Sequence, residues 1–316
     1  MTADSMLIPQ PLKAGDRIAI VCPASTVADE HLDGAAEALI RLGFEPVMAP
    51  HAKGPHDGSY SAAPEERIAD FVAAYTSDAR ALLCGRGGYG CVHLLGSIDR
   101  EMLRRDPKWV IGFSDVSALH ALSQHAGVAS LHASMARHLA TRPDSHEVTR
   151  LMTDILTGQH SEMEYTVPAD PRNISGRAHG RLRGGNLAVL NGLASTPYDM
   201  LLLPDTILFI EDVAEPVYKV ERVLHRLYMA GCFTPGGAGA LRGLVVGRFT
   251  LYEPNRDFGS MEDMISFWLH RWKVNIPVAF GFDIGHVERN LPVVEGASAT
   301  LDVTSDGVSL SFAIKK

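Results

Sequence analysis

The feature that most constrains this chain is the alternation of apolar strands and amphipathic helices through its first half. Arg17–Cys22 is an apolar, β-branched run that ends at Pro23. Asp29–Leu42 follows with Leu32, Ala36, Leu39 and Ile40 at helical spacing, and Gly43 is placed to cap it. Further strands are predicted over Glu45–Ala49, Ala79–Cys84, Trp109–Gly112 and Val128–His132, with helices over Glu65–Tyr75 and Asp115–His125. Repeated β–α alternation predicts an α/β fold whose mostly parallel sheet carries helices on both faces.

The pattern changes after about residue 158. Glu162–Val167 alternates like a half-exposed strand, and Pro168 through Gly180 is rich in turn formers. Strands at Thr206–Ile210 and Ala240–Val246 then mix with helices at Leu187–Leu193, Val217–Met229 and Met261–Trp272. The chain closes on Ala297–Val303 and Val308–Ile314, joined by a turn containing Asp306-Gly307, which signals a hairpin. The reading is an N-terminal α/β domain (1–160), a linker region (161–178) and a smaller, strand-rich α+β domain (179–316).

Composition narrows the function classes. With 46% hydrophobic and 21% charged residues over 316 positions, the chain can bury the core of about two domains. A formal charge of −8 argues against gripping nucleic acid or an anionic membrane surface. No apolar run approaches the ~20 residues of a membrane span. The opening Met1–Pro9 lacks the basic-then-apolar order of a signal peptide. Cys22, Cys84, Cys91 and Cys232 are scattered without metal-ligand spacing and read as reduced, buried thiols of a cytoplasmic protein.

Two glycine-containing segments compete for the chemistry. Gly85-Arg86-Gly87-Gly88-Tyr89-Gly90 has the letters of a dinucleotide fingerprint after a predicted strand, which keeps a nucleotide-binding oxidoreductase open. That fingerprint belongs to the first strand–helix turn, and this is about the third. A tight turn with exposed amides is the plainer reading. In Val110-Ile111-Gly112-Phe113-Ser114-Asp115-Val116, Ser114 stands on a sharp strand-to-helix corner. Such an elbow raises a hydroxyl above a sheet and aims the next amide at a developing oxyanion. From spacing alone, a helix N-cap fits Ser114 better.

A serine nucleophile needs a base and a group that orients it. Most of the 14 histidines fall on predicted helices or polar loops; His120 and His125 lie on the helix behind Ser114, facing away from the corner. His286 instead follows a short strand in a glycine-containing loop, and Glu211 ends the strand Thr206–Ile210. The order Ser, Glu, His is admissible for a triad.

Arg86-Gly87-Gly88-Tyr89-Gly90, Gly112-Phe113-Ser114-Asp115, Gly184-Gly185-Asn186-Leu187, Phe209-Ile210-Glu211-Asp212 and Asp283-Ile284-Gly285-His286 occur in this order. The series resembles the LD-carboxypeptidase family, murein tetrapeptide carboxypeptidases related to microcin C self-immunity peptidases, over nearly the whole chain. The resemblance implies Ser114 as nucleophile, His286 as general base and acid, and Glu211 as its orienting acid, with Glu215 the other possible acid. It implies an oxyanion hole from the Asp115 and Gly88 amides, a muropeptide substrate, no metal or organic cofactor, and a homodimer. Arg86 is the candidate anchor for the substrate's terminal carboxylate. Arg183 departs from the family, which carries varied, often bulky apolar residues there. Within the family, a self-immunity peptidase would stack an adenine on aromatic residues. With 7% aromatic residues, and Trp109, Trp268 and Trp272 at positions read as core, the chain leans toward the murein substrate.

Overall fold

The computed structural model describes residues 6–54, 58–234, 236–237 and 239–314. Residues 1–5, part of the opening stretch that lacks a signal-peptide pattern, lie outside them. The chain has two compact units, 1–161 with 292–296 and 314–316, and 162–291 with 297–313. Each is a mixed α/β body built on one sheet, and together they give the α/β class read from the sequence.

The first unit contains β1 (Arg17–Val21), α1 (Asp29–Arg41), β2 (Glu45–Met48), α2 (Pro64–Thr76), β3 (Ala81–Cys84), α3 (Arg100–Arg105), β4 (Trp109–Gly112), α4 (Ser117–Ala126) and β5 (Ser130–His132). Helices α5 (Ala136–Thr141) and α6 (Glu147–Thr157) end its first pass. The strands β5-β4-β3-β1-β2 are parallel neighbours. The central strands β3 and β4 are buried at every position, as a parallel sheet covered on both faces demands. Trp109 is the largest fully buried side chain among the described residues.

The second unit contains β6 (Glu162–Pro168), β7 (Gly176–Asn186), α7 (Leu187–Gly192), β8 (Thr206–Val213), α8 (Val217–Met229), β9 (Gly243–Thr250), α9 (Met261–Arg271) and β10 (Val278–Gly285). Residues 161–178, read as a linker, thus hold β6 and the start of β7. The chain then returns to the first sheet as β11 (Val293–Glu295), antiparallel to β5. The closing hairpin is β12 (Ser298–Val303) and β13 (Gly307–Ala313). The second sheet runs β10-β9-β8-β7-β12-β13-β6, parallel from β10 to β7 and antiparallel beyond.

Trp268 and Trp272 are not core, as the sequence reading had them. They are half-buried where α9 lies along α8, and Trp272 stacks on Tyr228 with ring centroids 4.3 Å apart. The four cysteines are free and buried, and burial pushes the Cys22 thiol up to about 12. Among the described residues, no helix is long and apolar enough to cross a membrane, and no group of three or more His, Cys, Asp or Glu could hold a metal.

Candidate active site

In the first unit the chemistry gathers at the end of β4. Phe113 is extended, Ser114 turns to φ 66°, and a short 3₁₀ turn over Ser114–Val116 leads into α4. A side chain with a β-carbon pays ~1–2 kcal/mol for that backbone, so the surroundings must impose it. Ser114 is not the helix cap that spacing favoured: Val116 stands at the N-cap of α4, and no side chain caps it. The Val116 methyls lie 3.0 and 3.1 Å from where a β-carbon on Gly112 would stand, so this valine fills the space under the corner.

The glycine turn is folded against this corner. A β-carbon on Gly87 would stand 2.8 Å from Ser114 Cβ, 3.0 Å from its Oγ and 3.2 Å from the Asp115 nitrogen. Gly87 thus has Ser114 as its nearest neighbour; Gly88, at φ 97°, lies against Ser25. The Ser25 amide donates to the Gly87 carbonyl at 3.2 Å, and Ser25 Oγ accepts from the Tyr89 amide at 3.1 Å. In a trans peptide N–H and C=O point oppositely, so the Gly88 N–H is turned away from Ser25. Asp115 Oδ2 accepts the Cys91 amide at 2.8 Å and ties the far end of the turn to the elbow. Gly90 runs into a 3₁₀ segment, Cys91–Ser97, so the α-helix that a dinucleotide fingerprint opens does not follow. Arg86 is exposed and donates from Nη1 to the Thr26 carbonyl at 3.0 Å.

One residue under the elbow was misread from the sequence. His120 does not face away from the corner. It is fully buried, with Nε2 2.9 Å from the Gly112 carbonyl and Nδ1 2.9 Å from Ser130 Oγ. Burial pushes its imidazole down to about 4. Neutral His120 therefore donates from Nε2 to the last carbonyl of β4 and accepts the Ser130 hydroxyl at Nδ1. Helical spacing from Ser117 carries no signal of this.

In the second unit, β8 is buried from Thr206 to Asp212, and Glu211 is completely enclosed. Its Oε2 lies 2.7 Å from His286 Nδ1. A carboxylate accepts, so Nδ1–H donates to it and the Nε2 lone pair becomes the basic site of the ring. Glycine is required at 285, where φ is 124° and a β-carbon would stand 2.7 Å from Glu211 Cβ and 2.8 Å from Oε2. The Gly285 amide donates to Asn290 Oδ1 at 2.8 Å, which braces the turn carrying His286.

The neighbouring acids have other work. Asp212 accepts from Asn186 Nδ2 and the Ala188 amide, each at 2.8 Å, and from its neighbour Val213 at 2.9 Å. Burial raises its carboxyl to about 6, so it is ionised at neutral pH with N–H donors at both oxygens. Glu215 faces Lys219 Nζ at 3.3 Å. Arg183 is buried and gives Nη1 to the Pro204 carbonyl at 2.9 Å and to Thr206 Oγ1 at 2.8 Å, a use inside the second unit.

The LD-carboxypeptidase N-terminal domain matches residues 18–133, and the LD-carboxypeptidase C-terminal domain matches residues 179–301. A probable murein peptide carboxypeptidase of Bacillus subtilis is 31% identical over 303 residues, covering 93% of this chain and 91% of that one. The crystal structure of muramoyltetrapeptide carboxypeptidase from Oxalobacter formigenes superposes with a TM-score of 0.82 at 27% identity, over 94% of this chain and 98% of that one. The microcin C7 self-immunity protein MccF of Escherichia coli is 24% identical, with 96% of each chain covered.

Proposed function

The chain belongs to the LD-carboxypeptidase family, and from that premise we propose that it hydrolyses the L,D-peptide bond before the terminal D-alanine of murein tetrapeptides by a serine mechanism. The observation that carries the reading is Ser114 held at φ 66° on the strand-to-helix corner, with a glycine turn folded onto its hydroxyl. The Glu211–His286 pair supports it from the second unit.

Under this reading Ser114 Oγ attacks the carbonyl carbon at the L-centre of the third stem residue, and His286 Nε2 takes the hydroxyl proton. The oxyanion accepts from the Asp115 and Gly88 amides, each such donor contributing ~3 kcal/mol in the transition state. Collapse breaks the C–N bond as His286 returns the proton to the leaving D-alanine amine. Water, deprotonated by the same histidine, then cleaves the acyl ester and restores Ser114. Glu211 holds Nδ1–H and offsets the imidazolium charge. The product is a tripeptide, and the reading places the reaction in cytoplasmic recycling of wall peptides.

The test is mass spectrometry of a muropeptide mixture incubated with the protein. Loss of one alanine mass from tetrapeptides, with pentapeptides untouched, is the expected result. Cleavage at any other bond, or none, would overturn the reading.

A further inference from the structure

Arg67 is a buried charge of the first unit that the serine mechanism leaves unused. It stands in the first turn of α2 at 2% exposure. Its Nε donates to the Ala62 carbonyl at 3.0 Å, Nη1 to the Pro23 carbonyl at 2.6 Å and the Gly90 carbonyl at 3.0 Å, and Nη2 to His93 Nδ1 at 2.9 Å. An arginine is almost never buried so deeply without a carboxylate. Here the carboxylate stands across a peptide bond. Asp115 Oδ2 accepts the Cys91 amide at 2.8 Å, and that N–H belongs to the same peptide group as the Gly90 carbonyl. The N–H and C=O of a trans peptide point oppositely, so a guanidinium grips this group at its oxygen and a carboxylate at its nitrogen. We propose that Arg67 and Asp115 clamp the Gly90–Cys91 peptide between them, and that Arg67 is thereby a positioning residue for hydrolysis, holding the glycine turn where its Gly88 amide meets the oxyanion. The inference rests on the serine reading and adds to it what fixes one of its donors.

The same guanidinium joins the turn to the loop after β1. Nη1 lies between the Gly90 and Pro23 carbonyls, and Pro23 opens the loop whose Ser25 amide donates to the Gly87 carbonyl and whose Ser25 Oγ accepts the Tyr89 amide. Without a donor between them, the two carbonyl oxygens would repel, and loop and turn would part. A planar fork of five N–H groups serves several acceptors at once, which a lysine ammonium or a glutamine amide cannot do. Glycine at 90 lets the fork reach the backbone, since φ is 136° and a β-carbon would stand 2.7 Å from Nη1. The guanidinium carbon lies 5.1 Å from the centre of the Tyr60 ring, and the rings of Tyr60, Tyr89 and His93 meet in pairs at 5.3 to 6.1 Å. In so dry a place each of these hydrogen bonds is stronger than it would be in water. Asp115 also carries the other oxyanion amide, so its side chain ties the turn to the residue that supplies the second donor.

The experiment measures kcat and KM on a tetrapeptide, the rate of inactivation by diisopropyl fluorophosphate, and the melting temperature, for the wild type, Arg67→Gln, Asp115→Asn and the double variant. Each single variant should lower kcat and the inactivation rate by about 10²-fold, with KM within about two-fold, the scale of a displaced oxyanion donor. The double variant should be scarcely worse than either, because the two side chains hold one peptide. Lys108→Met is the control. It removes another buried cation of the first unit, held before β4 by the Ser77 carbonyl and Asp106, and should lower Tm while leaving kcat and inactivation in place. If Arg67→Gln does not fold, Arg67→Lys decides, with a loss of about ten-fold in kcat expected because the fork is gone. Unchanged kcat per folded molecule in the Arg67 variant, or losses that simply add in the double variant, would overturn the clamp. If no tetrapeptide is cleaved, the murein reading fails by itself and the inactivation rates judge the clamp, equal rates in wild type and variant overturning it. A wild type that the reagent leaves unlabelled at Ser114 would end the serine reading, and the clamp's role with it.

Discussion

His286 Nδ1 lies 2.7 Å from Glu211 Oε2, and the approach depends on the absence of a side chain at Gly285 between them in sequence and space. Glu215, four residues along, is engaged instead with Lys219. Glu211→Gln should cost ~10⁴-fold in kcat, because the amide no longer fixes the tautomer, while Ser114→Ala and His286→Ala should each cost ~10⁶-fold. The double variant Ser114→Ala/His286→Ala should be scarcely worse than either alone. Steady-state kinetics on a tetrapeptide checks the order, and a larger kcat loss in Glu215→Gln than in Glu211→Gln would reverse the assignment of the acid.

Two glycine substitutions should separate stability from chemistry. Gly285→Ala adds a β-carbon at φ 124° and 2.7 Å from a buried carbon of Glu211, so it should destabilise by ~2–4 kcal/mol and inactivate together. Gly87→Ala meets Ser114 Cβ at 2.8 Å without a left-handed backbone to oppose it. It should lower kcat by ~10²-fold or more by displacing the hydroxyl, with a much smaller change in Tm. Thermal melts and kcat measured on both variants decide it; the same pattern in the two would mean that the turn is scaffold alone.

His120 sets a pH dependence of stability. Its imidazole is pushed down to about 4 by complete burial, whereas in the unfolded chain it titrates near 6.5. As pH falls from 6.5 toward 4, the unfolded chain gains a proton that the folded His120 refuses. Stability is therefore present above 6.5 and is lost through this window, by ~3 kcal/mol at most. Denaturation midpoints against pH should fall more steeply for the wild type than for His120→Asn. Parallel curves would show that His120 carries no such linkage.

Arg86 is exposed, with one guanidinium nitrogen on the Thr26 carbonyl, and is the proposed anchor for the terminal carboxylate. Amidating that carboxylate should cost ~2–4 kcal/mol in kcat/KM, as should exchanging D-alanine for L-alanine. Arg86→Ala should then be almost insensitive to amidation. A double-mutant cycle over variant and substrate reads the coupling, and additive losses would send the search for the anchor elsewhere. Arg183 would not be the next candidate, since it is buried on Pro204 and Thr206.

Much of this was legible in the residues because it is local. The β–α alternation, the closing hairpin and the corner at Ser114 each follow from spacing over a few residues, whereas Glu211, read as the strand end, lies inside β8, which runs on to Val213 and encloses it. What escaped is long-range. The return of Val293–Glu295 to the first sheet is a three-residue strand, too short for any periodicity to show. His120 looked like one more helical histidine, because a hydrogen bond to a carbonyl eight residues back in another element has no sequence signature. Capping looked the better reading of Ser114 because nothing in the letters reports a positive φ at a serine.

The most direct test of the account is D-alanine release from a defined tetrapeptide by the wild type and by Ser114→Ala, measured side by side at equal folded concentration. The account predicts one D-alanine per tetrapeptide from the wild type and a rate lower by ~10⁶-fold in the variant. Comparable release by the two proteins would contradict it.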